Sequence, residues 1–252
     1  MTAQPKFPWD GQPDYAACNF ALGHLIQYVE KRLTLEGRIH AETLLAAIGA
    51  IAGFSALRAL MAHLAETKDP AIAGQLNIVQ SNSGAKYFIG EPINRTLIPA
   101  AAGEAGRKLW SLAAGGAVAA GLDRTKLPEV GPMFAHVTQN LGGEREGRPS
   151  LPKEHQPIMP AGELLLLVWP LALMSFTGRF PGAPREFGVA GIQNWPAISA
   201  RAANTFIQKV KNVLEPSIAL TIVMESAIYA SKLDPEPIDK ATWETREAPP
   251  GS

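Results

Sequence analysis

The chain has 252 residues, 46% hydrophobic and 18% charged, and its 23 Lys plus Arg balance its 23 Asp plus Glu to a formal net charge of zero. With no basic run longer than two residues, it carries no electrostatic footprint for nucleic acid or an anionic membrane. Cys18 is the single cysteine, which excludes an intramolecular disulfide and a thiolate zinc cage and suits a reducing compartment; MTAQPKFPWDGQPDY lacks the charged-then-apolar order of a secretory signal, so a soluble, cytoplasmic protein is expected.

Residues 1–13 hold Pro5, Pro8 and Pro13 and read as an extended arm carrying Phe7 and Trp9. A helix follows from about Asp14, with Leu22, Leu25, Ile26 and Val29 on its inner face, and stops at Gly37. The chain then makes its clearest statement, RIHAETLLAAIGAIAGFSALRALMAHLAE, ending near Thr67. From 44 to 57 only Ser55 is polar, and at 100° per residue the large apolar groups surround the axis, so this helix should be buried on nearly every side. Gly49 and Gly53 each cost the helix about 1 kcal/mol relative to alanine, which close packing against a neighbouring backbone would offset. Their spacing matches that of membrane dimers, but the fully apolar run falls short of the roughly 20 residues a bilayer requires.

Two short strand-like runs at about 76–89 flank Ser81, Asn82, Ser83 and Gly84 and read as a hairpin. Such a hairpin is marginal alone and must lie on the helices or pair with another copy. Pro92 opens a short helix that Pro99 ends. A small-residue helix at 101–121, with Gly115 and Gly116, is the expected packing partner of the central helix. After a helix at 127–141, the polar, Gly/Pro-rich stretch 142–160 is long enough to be a functional cover, a linker or a disordered segment. Helices are expected at 161–177, kinked by Pro170, then at 197–214 and 216–233, before a Pro-rich charged tail at 234–252 whose one large anchor is Trp243. The fold class is therefore mainly α: a single multi-helix domain over 14–233, with seven to nine helices around a buried central one and one small β-hairpin.

Phosphate-loop, dinucleotide-binding, HExxH, paired CxxC and GxSxG motifs are all absent from the sequence. Ser83 and Lys86 match SxxK, yet lie in a hairpin turn rather than one helical turn apart. No ExxH pair occurs, and the five histidines are dispersed, so neither a metal nor a cofactor is expected. Two polar clusters remain as weak ligand-binding candidates. Arg38, His40 and Glu42 stand with Glu36 at the N-terminal mouth of the central helix, where free N–H groups favour an anion; capping and charge complementation explain them equally. Tyr87, Glu91, Asn94 and Arg95 lie at and just after the hairpin, where the step from strand through Gly90 into a helix aims side chains into whatever cleft the hairpin covers; capping by Glu91 and a surface Arg95 is the simple alternative.

The missing motifs slightly favour a non-catalytic interaction or scaffold protein. A binder of an anionic or amphipathic small molecule, with an apolar cleft covered by 142–160, is the second reading, and an enzyme assembled from scattered residues is the third. A homodimer is expected from the tryptophan-bearing arms and the hairpin's need for a strand partner.

Overall fold

The computed structural model describes residues 13–99, 108–180 and 189–247, with side-chain surroundings from 14 to 242. The arm at 1–12 and the first part of the expected 101–121 helix lie outside the described residues, as does the Trp243 side chain. The described chain forms ten helices: α1 Pro13–Leu33, α2 Ala41–Thr67, α3 Pro70–Ala73, α4 Glu91–Leu97, α5 Leu109–Ala119, α6 Val130–Asn140, α7 Ala161–Phe176, α8 Trp195–Val210, α9 Pro216–Ala230 and α10 Pro235–Glu247. It is a mainly α domain with one four-residue hairpin, β3 Asn77–Gln80 and β4 Lys86–Ile89, and a smaller ribbon of β1 Thr34–Leu35 with β2 Arg38–Ile39.

Helix α2 is the spine. Every residue from Glu42 to Leu57 is buried, and α7, α8 and α9 surround it. Leu44, Leu45, Ile48, Ile51, Phe54 and Leu57 are each at most 2% exposed. At about 1.5–3 kcal/mol for each large apolar side chain removed from water, these six contribute on the order of 10 kcal/mol before chain entropy is subtracted. Although α2 spans 27 residues and is long and apolar enough to cross a membrane, 78% of its apolar window is buried inside the protein, as befits a core helix. Beyond the spine, Trp169 of α7 meets Phe54 edge-on at 4.6 Å between ring centroids, and Phe176 stacks on Trp195 of α8 at 4.9 Å.

The glycine stripe of α2 faces α9. A Cβ at Gly49 would stand 2.4 Å from the Val223 carbonyl oxygen, and one at Gly53 would stand 2.0 Å from that of Ala227. This corrects the expectation that the 101–121 helix fills the stripe. The small face of α5 is taken by α8 instead, where Asn204 lies 3.0 Å from a Cβ built on Gly116 and its amide donates to the Leu112 carbonyl at 2.7 Å. Both α5 and α9 carry small residues, but the 15-residue α9 buries eleven of its residues where the 11-residue α5 buries five.

Two further segments depart from the sequence reading, the end of the first helix and the Pro-rich tail. The first helix ends at Leu33, and Glu36 (φ 51°) with Gly37 (φ 75°) makes a tight hairpin turn, so Arg38 sits on a strand rather than at a helix mouth. Positive φ at two successive turn residues suits the twist of a two-residue hairpin loop, and glycine takes the second at no steric cost. The Pro-rich stretch after Asp234 forms α10, opened by Pro235 and tied to the spine by Arg58 donating to Asp239 at 2.6 Å. The 142–160 stretch folds down over α9 as turns with a short 3-10 helix, Lys153–His155. The hairpin lies on the end of α9: the Phe88 N–H donates to the Lys232 carbonyl at 2.7 Å, and Tyr87 bridges to Leu233.

Candidate functional site

Glu146 and Pro160 of the folded 142–160 segment, β4, the first two turns of α7, Tyr229 of α9 and the start of α10 line an open cleft of about 500 Å³. Its apolar wall includes Pro160, Leu166, Leu233 and Ile238, and its polar groups are Lys86, Tyr87, Glu146, Glu163, Tyr229 and Asp234. The Tyr87 hydroxyl donates to Glu146 Oε1 at 2.6 Å. Burial first, and then the Glu146 carboxylate, push the Tyr87 phenol up to about 12 and hold the Tyr229 phenol well above its ordinary range. Both tyrosines are therefore neutral donors at physiological pH.

Why Tyr229 can sit there is a matter of two glycines. A Cβ at Gly162 would stand 3.0 Å from its hydroxyl, and one at Gly147 would stand 3.1 Å from its ring. Gly147 also has φ +66°, a conformation costly for any residue with a Cβ, and its carbonyl accepts from the Ala161 N–H at 2.8 Å, which ties the covering segment to the start of α7.

The same segment is anchored from below by a buried carboxylate. Glu225 of α9, 3% exposed, accepts from the Ser150 N–H at 2.6 Å and the Ser150 hydroxyl at 2.7 Å. Burial raises the Glu225 carboxyl, while Ser150, His136 and Arg145 pull it back toward ionisation. His136 Nε2 donates to the Arg148 carbonyl at 3.0 Å and its Nδ1 faces the Asn140 amide at 3.3 Å, an arrangement that selects the Nε2–H tautomer. Lys232, at the end of α9, is 2% exposed, with Nζ 3.4 Å from Asn94 Oδ1 and 5.6 Å from the centre of the Phe134 ring. Burial brings its ammonium down to about 8.

The sequence-predicted residues divide. Tyr87 enters the cleft, and Asn94 meets Lys232 beneath it. Glu91 and Arg95 form an exposed i,i+4 pair at 3.3 Å on α4, the surface arrangement that was the simple alternative. At the start of α2, His40 is the N-cap: its Nδ1 accepts from the Thr43 hydroxyl at 2.9 Å and the Thr43 N–H at 3.4 Å. Glu42 lies between His40 Nε2 and His155 Nδ1, each at 3.4 Å, and Thr43 Oγ1 accepts from the Ile158 N–H at 3.0 Å. Arg38 is exposed on β2, paired with Leu35. This end of α2 therefore holds down the far side of the covering segment, and among the described residues no group of three His, Cys, Asp or Glu is arranged to hold a metal.

Glu146, Tyr229, Glu225 and Lys232 were not singled out in the sequence. For the last two a signal existed, since a carboxylate and an ammonium stand in the apolar stretch IALTIVMESAIYASKL. A charge there must be compensated or functional. No protein-family model, no curated protein and no solved structure matches this chain.

Proposed function

We propose that the protein binds an amphipathic small molecule in the cleft between β4, the 142–160 segment, α7 and α10. The observation that carries this reading is the cleft itself: about 500 Å³, largely apolar, with Tyr87, Glu146 and Tyr229 converging on one wall. A concave apolar site with a few convergent polar groups is the usual form of a ligand pocket. The cover over it is held by Ser150 on Glu225, by Gly147 on Ala161 and by Ile158 on Thr43, and those bonds keep the polar wall in place without a ligand.

The test is thermal stabilisation against a broad metabolite panel. A ligand at a hundred times its Kd adds about 2.7 kcal/mol, which for a chain of this size raises the melting temperature by about 5–10 °C. Leu166, 46% exposed at the cleft wall, can be replaced by tryptophan without disturbing the core. The response should appear in the parent and vanish in Leu166→Trp; a response that survives this substitution puts the ligand elsewhere.

A homodimer remains a second proposal, favoured by β3. All four of its residues are exposed, Ile78 is 63% exposed, and among the described residues no strand pairs with its outer edge, which could take β3 of another copy. Light scattering at micromolar concentration reads it directly: a dimer mass supports the pairing and a monomer mass removes it.

A further inference from the structure

We propose that the ligand of this cleft is an organic cation, an amine on an apolar body, with Glu146 as its counter-charge; this rests on the cleft being a binding site. Charge is the first argument. Among the described residues, three carboxylates, Glu146, Glu163 and Asp234, line the cleft against one cation, Lys86. Of the three, Asp234 already caps α10 by accepting from the Glu236 N–H at 3.1 Å, and Glu163 is exposed in the first turn of α7, where it complements the helix N-terminus. Glu146 has no such duty. It is half-buried on the cleft lining, no cation pairs with it among the described residues, and its hydrogen-bond partners include the Tyr87 and Tyr229 hydroxyls.

Hydrogen-bond capacity is the second argument. An ionised carboxylate has about four acceptor sites and no donor. Tyr87 and Tyr229 occupy two of those of Glu146, and the carboxylate lines the cleft, so its remaining lone pairs call for a donor on the ligand. An ammonium supplies such donors together with a compensating charge, whereas a ligand carboxylate would face Glu146 with like charge. The two phenols cannot serve an anion in its place, because both hydrogen-bond to Glu146. Lys86, the one cation of the lining among the described residues, is exposed on the hairpin rim and leaves the inner wall acidic.

Shape is the third argument. Leu166, Ile238, Pro160 and Leu233 offer an apolar wall beyond the polar one, so the nitrogen at Glu146 would carry a hydrocarbon or aryl body rather than being a compact polyamine.

The experiment compares 4-phenylbutylamine, 4-phenylbutanol and 4-phenylbutyrate, which share one body and differ in the head group, by calorimetric titration of the full chain. The variants are Glu146→Gln, whose amide oxygen can still accept from Tyr87, and Leu166→Trp; circular dichroism checks that each is folded. The amine should bind at least tenfold more tightly than the alcohol or the carboxylate, with that preference lost in Glu146→Gln and all binding lost in Leu166→Trp. If the alcohol or carboxylate binds as tightly as the amine, and Leu166→Trp still abolishes it, the cation proposal is overturned and the cleft reading stands. Binding of the amine that Leu166→Trp leaves intact overturns both.

Discussion

The close contact between α2 and α9 can be tested with one methyl group. In Gly53→Ala the new Cβ would stand 2.0 Å from the Ala227 carbonyl oxygen and 2.7 Å from its carbonyl carbon and Cα. Since real Cβ contacts essentially never fall below 3.0 Å, the helices must part by at least 3.0 − 2.0 = 1.0 Å. The obstacle is backbone, so no rotamer change relieves it. Overpacking of this kind costs about 3 kcal/mol, the upper part of the usual range, and the better helix propensity of alanine returns about 1 kcal/mol. The net loss of about 2 kcal/mol corresponds to a fall in melting temperature of about 4–8 °C. Gly23→Ala supplies the opposite sign: Gly23 is an exposed position of α1 where a Cβ would meet nothing within 4 Å, so the same substitution should stabilise by about 0.5–1 kcal/mol. Differential scanning calorimetry of the two variants beside the parent decides the matter. A Gly53→Ala protein that melts at or above the parent refutes the packing of α9 on the glycine stripe.

Lys232 makes the protein's stability depend on alkaline pH. Its folded pKa of about 8 lies below the unfolded value of 10.5, so between these pH values the unfolded chain binds more protons and stability rises with pH. The full rise is about 3 kcal/mol at 1.36 kcal/mol per unit, and denaturant melts from pH 7 to pH 10 should reveal most of it. Lys232→Met should flatten that rise and be the more stable protein at pH 7; a parent whose stability falls over this range contradicts the buried ammonium. Ser150→Ala removes one of the two donors to Glu225 and should cost about 1–3 kcal/mol, with faster amide hydrogen exchange concentrated in 142–160. Unchanged exchange there would mean that Glu225 does not hold the cover.

How much of this could be read from the sequence depended on whether the signal was local. Helix α2 was legible because a continuous apolar run has one physical outcome, and the hairpin was legible because strand and turn residues lie side by side. The partner of Gly49 and Gly53 was not, since small residues at 101–121 and in α9 offer the same close approach and only tertiary packing chooses between them. Helix α10 was hidden because Pro235 and Pro237 resemble an irregular tail, although proline in a first turn loses no helical hydrogen bond. Tyr87 was found because it follows a recognisable turn. Glu146 was not, because nothing around it in a Gly-rich polar stretch separates it from a solvated glutamate, and its meaning comes from Tyr87 and Tyr229, 59 residues before it and 83 after it. Glu42 and His40 were noticed for their place at the start of α2, where capping and an anion site were both open, but His155, the partner of Glu42, arrives from the 142–160 segment.

The central claim is that the tyrosine and glutamate wall of the cleft meets a ligand. Its most direct test is a crystal structure of the full chain grown with saturating 4-phenylbutylamine. The nitrogen should lie about 2.7–2.9 Å from a Glu146 oxygen, the range of a charge-assisted hydrogen bond, with the phenyl group against Leu166 and Ile238. An amine bound at another surface, with the cleft empty at the same concentration, would contradict it.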